Sequence, residues 1–172
     1  MLRKATPDDI PAIASIYDAI LDLEEAGIIS TGWIRGVYPT AETARDAVEA
    51  GEMYVLESRG RVVASGRING HQMPAYANVD WRVKAPNDKV LVLHTLTVDP
   101  ALQGRGFARQ FLAFYEDLAL AEGCQALRID TNARNAAARA MYGKHGYIES
   151  GIVPCAFNGI PDVDLVCLEK GV

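Results

Sequence analysis

Gln103-Gly104-Arg105-Gly106-Phe107-Ala108-Arg109 is the stretch of this chain best equipped for chemistry. It follows an apolar, β-branched run, Val90 to Val98, and it opens a segment in which Phe111, Leu112, Tyr115 and Leu118 recur at helical spacing. A glycine-rich turn at the start of a helix gathers backbone N–H groups around one point, with the helix dipole behind them. Such a point suits a phosphate or pyrophosphate. Gly104 and Gly106 let the backbone come close to a ligand because neither has a Cβ in the way. Arg105 and Arg109 can add charge-assisted contacts to phosphate oxygens. The plain alternative is a glycine pair that only reverses the chain, so the companion residues must decide.

Two phosphate-binding patterns fall away. A P-loop needs GxxxxGK[ST], and no Lys-Ser or Lys-Thr pair occurs in the sequence. A dinucleotide-binding fingerprint comes closer, with a strand, Gly104-x-Gly106, a helix and a further strand ending in Asp130. Arg109 stands where its third glycine belongs, and too little chain follows to build more βαβ units. The three cysteines, Cys124, Cys155 and Cys167, are widely spaced with no CxxC pair. They read as reduced thiols, and neither zinc spacing nor a disulfide framework is present.

The elements that must position this loop follow from periodicity. Leu2 to Ala5 reads as a short strand leading into a helix, with Thr6 as cap, Pro7 at the first helical position, and Ile13, Ile16, Tyr17, Ile20 and Leu21 on its buried face. Ser30 to Pro39 is a loop rich in large side chains, and a second short helix runs from the cap Thr40 to about Ala50. Met53 to Glu57 and Val62 to Ile68 form a hairpin around Ser58-Arg59-Gly60-Arg61. Gly70 to Asp88 is irregular. After the Val90–Val98 strand come a helix from Phe107 to about Glu122, a strand at Leu127 to Thr131, and a helix from Asn135 to Lys144. Two last strands, Tyr147 to Val153 and Val163 to Leu168, flank the turn Asn158-Gly159-Ile160-Pro161. The order β-α-α-β-β-β-α-β-α-β-β predicts a mixed α/β domain.

Composition narrows the partners. With 172 residues the chain suits one domain, spanning residues 1–172. Its net charge of -5 argues against a nucleic-acid partner, which needs a basic surface. No apolar run is long enough to span a bilayer, and Met1-Leu2-Arg3-Lys4 followed by Thr6-Pro7-Asp8-Asp9 is not a signal peptide. A cytoplasmic location is therefore expected.

Gln103-x-x-Gly106-x-Ala108, preceded by Leu96-x-Val98-x-Pro100, resembles the acetyl-CoA-binding motif of the GNAT (Gcn5-related N-acetyltransferase) superfamily. Asn135-x-x-Ala138-x-x-x-Tyr142, followed by Gly146-Tyr147, is similar to that family's second motif. The two stand in family order with one helix and one strand between them. The resemblance implies a central, mostly antiparallel mixed sheet of about seven strands, splayed between strands 4 and 5 and flanked by about four helices.

It also implies a chemistry: direct transfer of an acetyl group from acetyl-CoA to an amine, without metal and without a covalent enzyme intermediate. The pantetheine arm would pair with backbone near Leu96 and Val98, the pyrophosphate with the N–H groups of residues 104 to 109, and Asn135 with pantetheine. Asn135 also suits a helix N-cap, and both roles are compatible. Tyr142 would protonate the departing thiolate. Many family members carry a glutamate on the strand before the loop, where Val90 to Val98 holds no carboxylate. His94, which by the period-two rule shares a face with Leu96 and Val98, would relay the amine proton through water. Acceptor recognition falls to the early helices, their loop and the final hairpin, with Trp33, Arg35, Tyr38 and Phe157 as leading residues and Trp81 and Cys155 beside them. Aromatics with an arginine suit a small amphipathic amine bearing a carboxylate. A protein or peptide amine, an O-acyl acceptor, and a non-catalytic acyl-CoA-binding module stand as alternatives. The resemblance also leaves room for a homodimer.

Overall fold

The computed structural model describes residues 1–172. Seven strands form one sheet in the order β1-β2-β3-β4-β5-β7-β6, where β1 is Leu2–Lys4, β2 Met53–Ser58, β3 Arg61–Asn69, β4 Val90–Val98, β5 Ala126–Asn132, β6 Ile148–Phe157 and β7 Ile160–Gly171. Every neighbouring pair is antiparallel except β4 and β5. Four helices flank it: α1 Ile10–Glu25, α2 Ala41–Glu49, α3 Phe107–Ala121 and α4 Ala136–Lys144. The expected element order and splayed sheet are found. The last two strands run longer than their apolar runs, because Asn158 and Gly159, both at positive φ, make a tight turn that lets pairing continue to its edge. A 3-10 turn, Pro7–Asp9, precedes α1.

Apolar faces explain the layers. Helices α3 and α4 cover one face of the sheet, with Phe111, Leu112, Tyr115 and Tyr142 packed on Leu91, Leu93, Leu127 and Ile129. Gly66 in β3 makes room for this, since a Cβ there would lie 2.9 Å from both Leu93 Cδ1 and Phe111 Cε1. On the other face, α1 and α2 cover Met53 and Val55. The irregular segment between β3 and β4 covers Val90, Val92 and Cys167 with Tyr76 and Trp81.

Two features of β4 open the sheet. Its pairing with β5 stops at Leu93↔Ile129, although both strands continue. Against β3, the register moves from Arg67↔His94 to Ser65↔Thr97, so Gly66 faces both Thr95 and Leu96 in a β-bulge. Thr95 sits at φ 53°, a rare conformation for a β-branched residue. Below the opening, the buried Tyr115 hydroxyl lies 2.7 Å from the Leu91 carbonyl and 3.0 Å from the Arg128 carbonyl, one proton serving both strands. Tyr115→Phe is expected to lower the unfolding free energy by about 1–3 kcal/mol, the cost of stripping a partner from buried acceptors. Urea denaturation checks this, with an unchanged m-value confirming an intact fold.

Candidate active site

The glycine loop leaves its backbone open at the start of α3. A 3-10 turn at Pro100–Leu102, held by the Ala101 N–H donating to the Asp99 carboxylate at 3.0 Å, carries the chain out of β4. Gly104 (φ 77°) and Gly106 (φ 78°) then take left-handed conformations that reverse it into α3. Nothing lies within 4 Å of where a Cβ would stand at either glycine, so the space before the loop is open. Gly106 is the residue preceding α3, and its carbonyl accepts the Gln110 N–H at 3.0 Å. The first N–H groups of such a helix have no acceptor within it and point outward. Arg105 and Arg109 are exposed beside them.

From this loop a cleft of about 420 Å³ runs along the opening between β4 and β5. The Asp99 N–H donates to Val63 O at 2.9 Å, which fixes the alternation of β4 against β3. Leu96 and Val98 therefore turn their backbone groups away from β3, toward the side β5 has left. Leu96, Val98, Gln103, Asn135 and Tyr142 all line this cleft. The Asn135 side chain accepts the Ala138 N–H at 3.1 Å, capping α4. Tyr142 is 5% exposed, and burial moves its phenol well above the ordinary tyrosine range. Its hydroxyl thus stays protonated.

The far end of the cleft is aromatic. Trp33, Tyr38 and Phe157 line it, Tyr38 standing edge-on to both others with ring centroids 6.1 and 5.5 Å away. The Tyr38 hydroxyl pairs with the Thr95 hydroxyl at the bulge, and burial pushes Tyr38 up to about 12. Two expected residues are not brought here. Arg35 lies against the outer side of α1, bonded to Asp22 at 2.6 Å, Glu25 at 2.8 Å and Asp18 at 3.3 Å. Trp81 is buried under the other half of the sheet, its Nε1 donating to Tyr76 O at 3.1 Å and its ring stacked on the Arg128 guanidinium.

His94 faces elsewhere too. The expectation that it shares a face with Leu96 and Val98 holds only for an unbroken strand. The bulge at Thr95 inserts one residue and flips the alternation, so Leu96 and Val98 pack toward α3 while His94 points to the opposite face. There it lines a second cavity of about 490 Å³ with Arg67, Asn69 and Asp46. Its Nε2 is 3.0 Å from Asn69 Oδ1, and burial, with the Arg67 charge, pushes its pKa down to about 4. It is a neutral and weak base in that position.

One cleft residue, Asp130, matches in the sequence only the discarded dinucleotide fingerprint. Asp130 is the only acidic side chain lining the cleft, and it stands one residue past the last β4–β5 pair. The Tyr76 hydroxyl donates to its Oδ2 at 2.7 Å, and burial raises the carboxyl to about 6. A strand-ending aspartate is ordinary in sequence; its enclosure by Tyr76 and Tyr38 depends on segments far away in the chain.

A splayed sheet with an anion cradle at the mouth of the opening defines an acyl-coenzyme-A-dependent transferase. Comparison with known proteins gives the same class. The chain belongs to the acetyltransferase (GNAT) family, whose family model matches residues 17–147. Such enzymes move an acetyl group from acetyl-CoA to an acceptor. Solved structures share the fold. A GNAT-family acetyltransferase from Streptococcus agalactiae superposes with a TM-score of 0.79, with 23% identity over 100% of this chain and 95% of that one. The ribosomal-protein-alanine N-acetyltransferase from Brucella melitensis gives 0.72, with 21% identity over 100% and 99%. The yncA protein of Salmonella typhimurium, solved with its cofactor acetyl-CoA, gives 0.69, with 20% identity over 99% and 92%. At these identities the likeness speaks for the fold alone. No curated protein matches the chain.

Proposed function

We propose that the chain transfers an acetyl group from acetyl-CoA to the primary amine of a small molecule. The observation that carries this reading is the aromatic end of the cleft, over which the loop after α1 folds. The loop after α1 lies directly on the β5–α4 junction: a Cβ on Gly32 would stand 2.3 Å from the Asn132 side-chain nitrogen. Trp33, Tyr38 and Phe157 fill the space behind it. That leaves a cage for a compact acceptor, where a protein amine would need a groove for extended chain.

In this reading the pyrophosphate rests on the N–H groups of residues 104 to 109, with Arg105 and Arg109 adding charge. The pantetheine arm pairs with the free backbone groups of Leu96 and Val98, beside Gln103 and Asn135. Backbone N–H groups of β4 past the bulge polarise the thioester carbonyl, an oxyanion-type contribution. The amine nitrogen attacks that carbon, and Tyr142 gives its proton to the leaving sulfur.

Thermal-shift measurements with acetyl-CoA and with free coenzyme A test the site first. Ligand at about 100 times its dissociation constant is expected to stabilise the fold by roughly 2.7 kcal/mol. Thiol release is then followed with a panel of primary amines. No shift on folded protein removes the coenzyme site; a shift without turnover on any amine or on a peptide N-terminus leaves a binding module.

A further inference from the structure

We infer that Asp130 receives the acceptor as an ammonium ion and takes its proton, and that the acceptor is a primary amine on an apolar body without a carboxylate. The inference rests on the acetyltransferase reading above and assigns the amine end of the same cleft.

Three observations carry it. First, the chemistry needs a proton acceptor. Strand β4 offers no carboxylate, His94 lies in the other cavity behind the bulge, and Asp130 is the only carboxylate lining the cleft. Second, the sheet separates the two proton transfers correctly. Asp130 projects from β5 on the face that carries Tyr76 and Cys167, whereas Tyr142 belongs to the layer of α3 and α4 on the opposite face. The splay joins the faces at one opening, so nitrogen can lose a proton on one side while sulfur gains one on the other. Third, the surroundings fit a cation and not an anion. The acceptor end presents Trp33, Tyr38 and Phe157, aromatic rings that suit an apolar body and whose faces attract an ammonium. Arg134, the only basic residue lining the cleft, is solvent-exposed with its guanidinium against Gly32 and Asn132, and Arg35 is bound to α1 on the outside.

The groups near the Asp130 carboxyl are Tyr76 from the segment before β4, Tyr38 from the early loop, Tyr142 from α4, Cys155 from β6 and Cys167 from β7. All are neutral at ordinary pH, their ionisations raised chiefly by burial. Tyr76 fixes one carboxylate oxygen and leaves the other for the substrate. In the step itself the ammonium gives a proton to Asp130, and the freed lone pair forms the C–N bond to the thioester carbon. The C–S bond breaks, Tyr142 protonates the thiolate, and the second nitrogen proton restores Tyr142. Asp130 then releases its proton to solvent, so each turnover yields amide, free thiol and one proton.

The test compares 2-phenylethylamine with phenylalanine as acceptors, following thiol release from acetyl-CoA across pH. The amine is expected to turn over at least about 100-fold faster in kcat/KM than the amino acid. For the wild-type enzyme kcat/KM should fall as pH drops through about 6, the range in which Asp130 gains its proton. Asp130→Asn should cost roughly 100-fold in kcat/KM and abolish that limb, while its acetyl-CoA thermal shift stays intact and certifies the fold. Tyr76→Phe removes a hydrogen bond that favours the carboxylate, so its acid limb should move to higher pH. A D130N variant within about threefold of wild type, an acid limb unmoved in Y76F, or phenylalanine turned over as well as the amine overturns the inference and leaves the acetyltransferase reading standing. Acetyl-CoA binding without thiol release to any amine sinks both.

Discussion

Gly106→Val is expected to remove acetyl-CoA binding from an otherwise folded protein. Gly106 holds φ 78°, and a β-branched residue there is strained by about 1–3 kcal/mol whatever the surrounding space. No protein atom lies within 4 Å of the new Cβ position, so the collision falls on whatever anion occupies the open side. Relaxing the strain would turn the first N–H groups of α3 away from their common point. A loss of about 100-fold in affinity would cut the stabilisation at a fixed ligand concentration from roughly 2.7 to about 0.4 kcal/mol. The thermal shift would all but vanish. A folded variant that keeps its shift would mean that the pyrophosphate lies elsewhere.

Tyr142→Phe should leave that shift intact and lower kcat by about 100- to 10,000-fold, the range for losing a positioned proton donor. The phenol is buried against α3 and β5, and Phe preserves its packing on Tyr147, 6.1 Å away between centroids. Because burial raises the Tyr142 ionisation, the hydroxyl keeps its proton through the ordinary assay range, and no alkaline limb below about pH 9 should trace to it. Single-turnover measurements separate the chemical step from product release. An unchanged rate of thiol formation would pass the donor role to water or to another group.

Local signals in the chain carry far. Thr40, whose side chain accepts the Thr43 N–H at 3.2 Å, and Gly104 with Gly106 specify their turns through residue type alone, so the helix starts and the anion cradle are legible without any partner. The alternation of β4 is legible only as far as Leu93. A bulge adds one residue to a run that stays apolar and β-branched, and nothing in the letters His94-Thr95-Leu96 marks it; the insertion is defined against β3. For that reason strict alternation places His94 beside Leu96, whereas the folded strand puts it on the other face. Arg35 illustrates the same limit on the surface. Its loop is readable, but the three carboxylates that hold it lie one and two helical turns apart on α1, and their joint aim shows only once the loop is folded back. Asp130 needed the most context, since a tyrosine 54 residues earlier supplies its hydrogen bond.

The ring of Tyr38 is a wall of both cavities, the one of about 420 Å³ that runs from the glycine loop and the one of about 490 Å³ that holds His94. With Thr95, to which it is tied at the bulge and which also lines both, it forms a partition between two chambers of similar size. On the proposed reading, the breadth of acceptors is set at that post, away from the glycine loop at residues 103–109. If the coenzyme and the amine sit as proposed, selectivity and coenzyme grip are separately adjustable, and a smaller residue at 38 would enlarge the acceptor chamber without touching the glycine loop.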